Sequence, residues 1–106
     1  MSKFLILASY TAEGIKGLQK DKASGRKAAA KKAIEASGGK LEALYFAFGE
    51  HDIVAIAEFP DNVAATALLL TMAASGVIKV KTTVLLTIDE VDAALKKGAS
   101  YRPPGQ

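Results

Sequence analysis

The chain has 106 residues, 50% of them hydrophobic and 24% charged, with a formal net charge of +3, the composition expected of one compact soluble domain. It holds no cysteine and a single histidine; this excludes a disulfide framework, thiolate zinc sites, iron–sulfur ligation and a cysteine nucleophile, and fits a reducing, cytoplasmic compartment. The opening "MSKFLILASY" has neither a full h-region nor a small-residue cleavage site, and no apolar run is long enough for a bilayer, so neither export nor a membrane partner is expected.

In chain order, "KFLILASY" (3–10) reads as a strand, and Thr11 is placed to cap a helix entry immediately after it. "AEGIKGLQ" reads as a short turn, after which Ser24 caps a helix through "GRKAAAKKAIEA". There Ala30, Ala33, Ile34 and Ser37 recur at helical spacing, and Gly38-Gly39 supplies the stop. The inner face of that helix is narrow and mostly alanine. "KLEALYFAF" and "DIVAIAEF" read as two strands of a hairpin joined by "GEH". "PDN" ends the second and caps a helix in "VAATALLLTMAAS", which is apolar on nearly every side and closed by Gly76. "VIKVKTTVLLTI" alternates as a last strand before a short helix, "DEVDAALKKG", so that residues 1–100 form one domain and "YRPPGQ" (101–106) a tail.

The order strand, helix, strand, strand, helix, strand folds, with right-handed crossovers, into a ferredoxin-like βαββαβ unit of the α+β class. Its four strands form an antiparallel sheet with both helices on one face. The strands are apolar on both sides, however. Phe4, Ile6 and Ala8 alternate with Leu5 and Leu7; Leu44, Phe46 and Phe48 alternate with Ala43, Tyr45 and Ala47; Ile53, Ala55, Ala57 and Phe59 alternate with Val54 and Ile56. Two helices cover only one face, so the other calls for a partner surface, most simply a second copy of the chain. A homodimer or higher homo-oligomer with facing sheets is therefore expected. Leu68, Leu69, Leu70 and Met72 in the second helix point toward more than a dimer.

Between Lys16 and Lys40 eight bases stand against only Asp21 and Glu35. A face of this kind can attract phosphate or nucleic acid. No aromatic residue interleaves with the bases to stack on nucleobases, so the favoured reading is a solvated helix surface, and nucleic acid is not an expected partner.

"YTAEGIK" after the first strand, "GGKLEALYFAFGEHDIVAIAEFPDN" and the closing "VIKVKTTVLLTIDE" together resemble the GYD domain family over nearly the whole chain. The resemblance implies a dimeric α+β barrel of ferredoxin-like protomers, an architecture that also hosts small monooxygenases, lactone isomerases and haem enzymes; the family itself carries no established activity. Fold analogy is not function. The name-giving run of glycine, any residue, tyrosine and aspartate stands here as Gly49, Glu50, His51 and Asp52, with histidine in place of tyrosine.

Three side chains are the candidates for acid–base chemistry: His51, Tyr45 and Tyr10. His51 and Asp52 make a poor dyad, because neighbours in an extended strand point to opposite faces. The tyrosines equally serve as core residues with a tethered hydroxyl, and Lys79 and Lys81 read as edge-strand protection. Gly49 and Asp52 read as a structural motif: the glycine free to take a positive φ in the hairpin, the aspartate accepting backbone N–H bonds to hold its register. A metal site would need carboxylates or symmetry-related copies, since the chain has no second histidine. Haem on His51 is disfavoured because a histidine in a tight turn seldom overlies a buried site. No cofactor is assigned, and no phosphate loop or nucleophile elbow is present. The leading reading is a small oligomeric protein that binds a small apolar molecule or serves a structural or regulatory role. The alternative is a cofactorless isomerase- or monooxygenase-type enzyme on the same barrel, and a nucleic-acid module comes last.

Overall fold

In the computed structural model, which describes residues 1–106, the elements are β1 (Ser2–Tyr10), α1 (Ala12–Ala36), β2 (Lys40–Phe46), β3 (Ile53–Phe59), α2 (Asn62–Ala74), β4 (Ile78–Leu85) and α3 (Ile88–Lys97). The strands form one antiparallel sheet in the order β2-β3-β1-β4, with α1 over β1 and β2 and α2 over β3 and β4. This is the ferredoxin-like α+β arrangement expected from the order of elements. No helix is long and apolar enough to cross a membrane.

Local chemistry sets most boundaries. Thr11 caps α1 by accepting from the Gly14 N–H at 3.3 Å, and Asp61 caps α2 by accepting from the Ala64 N–H at 2.8 Å. At the end of α1 the Gly39 N–H donates to the Ile34 carbonyl and the Gly38 N–H to that of Glu35, a Schellman closure with Gly38 at φ 82°. Residues 12–21, whose first eight read as a turn by sequence, are helical. The helix break falls instead at Lys22, with φ 65° and ψ 165°, and Ser24 lies beyond it inside the second half of α1. The glycine that suggested a turn is there for contact: Gly14 is buried, and a Cβ on it would run into the Val77 carbonyl oxygen and the Tyr10 ring.

The core is small. Only nine residues are buried, and Phe59 is the one large side chain that is wholly so. Phe4 and Phe59 meet edge-to-face, ring centroids 5.7 Å apart, beside Ile6, Ile34, Ala57 and Ala65. All of the buried strand residues lie on the helix side.

α3 stands apart from that core. It carries a full capping box, the Thr87 hydroxyl accepting from the Glu90 N–H and the Glu90 carboxylate from the Thr87 N–H. Every residue from Leu86 onward is exposed, including Ile88 and Leu95 on the apolar stripe of the helix. The molecule measures 57 × 32 × 22 Å with a radius of gyration of 16.9 Å, against roughly 13 Å for a compact chain of this length.

Candidate functional site

The strand register sorts side chains onto two faces. On the helix side, one row across the sheet runs Leu44, Ala55, Ile6 and Thr82, and the next runs Phe46, Ile53, Ala8 and Val80. On the open side the corresponding rows are Tyr45, Val54, Leu7 and Lys81, then Ala43, Ile56, Leu5 and Thr83. A bulge between Leu41 and Ala43 places Glu42 out of register on the edge strand β2. Its carboxylate meets the Lys3 ammonium at 2.8 Å, and that hydrogen bond, with Glu58 nearby, raises the Lys3 pKa above the ordinary lysine value. The open face is thus apolar through its middle, charged along one end, and half-exposed at Leu5, Leu7, Val54 and Ile56.

Between the helices and the sheet lies a partly enclosed cavity of about 130 Å³. Its cause is side-chain size: Ala29, Ala30 and Ala33 of α1 sit above Ala8 and Ala55 of the sheet, and short side chains on both sides leave the middle unfilled. Leu68 and Met72 of α2 close one wall. Fourteen of its fifteen lining residues are hydrophobic, and Arg26 is the exception. A second, more polar concavity of about 290 Å³ adjoins it along the break in α1, and Tyr10, Arg26, Met72 and Ile78 line both. Arg26 reaches back across the break to Asp21, Nη1 to Oδ2 3.4 Å, with its side chain 40% exposed.

The hairpin carrying the glycine–histidine–aspartate run holds this wall in place. The Asp52 carboxylate accepts from the Tyr10 N–H at 2.8 Å, and the Asp52 N–H donates to the Ala8 carbonyl at 2.9 Å. Its bonds therefore tie the start of β3 to the end of β1. The positive φ of the hairpin belongs to Phe48, at 54°, and not to Gly49, whose Cβ position has nothing within 4 Å. That conformation is strained for an aromatic residue. The Phe48 ring stacks on Phe46, centroids 5.8 Å apart.

A family model for the GYD domain matches residues 4–95. The chain belongs to the GYD domain family. Comparison with curated proteins gives no match. The signature run of this GYD protein thus lies beside the end of the cavity marked by Tyr10.

The three acid–base candidates of this GYD chain do not converge. Tyr10 pairs with Ile78 on the helix side and lines the cavity; Tyr45 pairs with Val54 on the open side and is exposed; His51 sits half-buried in the loop. None of the three side chains makes a hydrogen bond within the protein. No group of three histidine, aspartate or glutamate side chains is placed to hold a metal ion. Sequence reasoning missed Arg26, which lay unremarked among the bases of α1. The signal that could have found it is the helical spacing that sets Arg26 one turn before Ala29 and Ala30 and two turns before Ala33, on the same face.

Proposed function

We propose that this GYD protein is a homo-oligomeric binding protein that holds a small apolar or amphipathic molecule between helix and sheet, and that two copies pair their open sheet faces as a dimeric α+β barrel. The cavity of about 130 Å³ carries the binding reading. The space is partly enclosed and nearly all apolar, and an apolar cavity near 150 Å³ in another protein takes up benzene. The apolar rows around Leu5, Leu7, Val54 and Ile56, and the uncovered stripe of α3, support assembly, because a single copy leaves both facing water. The enzyme reading draws on no such observation, since Tyr10 and Tyr45 occupy opposite faces of the sheet.

Benzene is the simplest test of the cavity. In a protein labelled at its alanine methyl groups, benzene should shift the signals of Ala8, Ala30, Ala33 and Ala55 and leave exposed Ala94 unmoved. The absence of a saturable shift at those four methyls would overturn the binding reading. Light scattering on the same sample should give a multiple of 11.1 kDa, and a monomer would overturn the assembly.

A further inference from the structure

We infer that the ligand of this cavity is a monocarboxylate with an apolar part about the size of a benzene ring, held with its tail against the alanines and its carboxylate at Arg26. The inference rests on the proposed binding function and names the chemistry of the ligand. The inner cavity offers volume without polarity, so it selects an apolar group of limited size: about 130 Å³ suits one ring or a short branched chain, and not a long acyl tail. Specificity then has to come from where the cavity ends.

Its end is defined by two side chains. Arg26 is the only charged residue lining the inner cavity; it lines the outer groove as well, where its guanidinium meets Asp21. Tyr10 shares that position, and its hydroxyl has no partner within the protein. A guanidinium has five N–H donors in a planar fork, and the single 3.4 Å contact with Asp21 leaves most of them free. Two donors at the rim of an apolar cavity match one anionic, planar head group with an apolar body behind it. The groove also carries the Glu13 and Asp21 carboxylates, but each is already paired, Glu13 with Lys16 and Asp21 with Arg26, so the free donors there are those of Arg26; a cationic head would face the guanidinium, and a neutral one would leave its donors to water.

The break in α1 adjoins this site. The reversal to φ 65° at Lys22 separates the two halves of α1, and the outer groove is lined by Asp21 before the break, Arg26 after it and Tyr10 of β1. A lysine at positive φ is uncommon. Here it lies between Asp21 and Arg26, which both line the polar groove.

Paired probes test the ligand class: 3-phenylpropanoate against 3-phenylpropan-1-ol, and hexanoate against hexan-1-ol, each titrated into the full-length protein and followed at the alanine methyls. Each acid should bind about tenfold more tightly than its alcohol, the size expected when a charged acceptor replaces a neutral one. Arg26→Gln should reduce that ratio to within about twofold, chiefly by weakening the acids. Because Arg26 is partly exposed and its ion pair is long, the variant should keep the wild-type fold, which its methyl spectrum reports directly. Acid and alcohol binding equally well to the wild type would overturn the carboxylate inference and leave the binding reading intact. So would a preference for acid that survives in Arg26→Gln. If benzene shifts no methyl, the binding reading falls and this inference with it.

Discussion

Replacing Asp52 by alanine removes the acceptor of the 2.8 Å hydrogen bond from the Tyr10 N–H and leaves that amide, at the last position of β1, without a partner in its part-buried setting. Hydrogen bonds to an ionised acceptor contribute about 1.5–3 kcal/mol, and the partial exposure of this one places the expected loss near the lower end, about 1.5–2 kcal/mol. For a domain of this size that corresponds to a fall of roughly 6–10 °C in Tm. Asp52→Asn keeps an oxygen at the same place without the charge and should lose about half as much. Urea unfolding at a fixed protomer concentration measures both, the fixed concentration holding constant any contribution of the proposed assembly. Hydrogen exchange should locate the effect, with the Tyr10 amide losing protection in Asp52→Ala while amides in the middle of β3 keep theirs. If Asp52→Ala unfolds within about 0.5 kcal/mol of wild type and Tyr10 keeps its protection, the side chain does not hold the two strands together.

Local geometry sets two further outcomes. Gly39→Ala and Gly14→Ala should each destabilise strongly, by about 2 kcal/mol or more, because the new Cβ would collide with the Glu58 and Val77 carbonyl oxygens, while Gly49→Ala should be neutral because nothing lies within 4 Å; denaturant midpoints rank the three. The Glu90 carboxyl titrates below its ordinary value of 4.5, held there by the backbone and hydroxyl hydrogen bonds of Thr87. A depressed folded value means that the cap stabilises α3 fully above the unfolded value and is lost as pH falls through the folded one. Helical shifts of α3 should therefore decline in acid, and the decline should flatten in Glu90→Gln; an equal decline in both would show that the cap does not govern the helix.

Alternation and turn chemistry made most of the fold legible. The period-two pattern in "KFLILASY" and "DIVAIAEF", the caps at Thr11 and Asp61 and the glycine stop after α1 all reappear as structure, because each is decided within a few residues. Misread features depend on distant partners. Gly14 and Gly17 looked like turn residues, but the requirement at Gly14 is imposed by Val77, more than sixty residues away, so local rules assigned its glycine to the wrong cause. Phe48 holds the positive φ that Gly49 was free to take, and the stacked Phe46 ring is the feature that accompanies it. The cavity was half visible: the alanine face of α1 could be read from spacing, but its position over Ala8 and Ala55 depends on the register of β1 with β3. Arg26 was hidden by its company, since seven lysines within the same stretch dilute any single cation.

The two central strands keep the candidate binding surface and the candidate assembly surface apart by a single residue. On β1, Ile6 and Ala8 line the cavity while Leu5 and Leu7 face the open side; on β3, Ile53 and Ala55 line it while Val54 and Ile56 face the open side. A strand's pleat makes that separation strict, because a one-residue step moves a side chain through the sheet. On these two strands alanine stands only on the helix side. Ala8 and Ala55 meet α1 through more alanine, so their small size leaves space that a ligand can fill. Leu7 and Val54, the residues one step away, have no helix above them and present bulk that only another surface can bury. The proposed ligand and the proposed second copy would therefore meet alternate positions of the same strands, and a change confined to one parity should disturb one of them and spare the other.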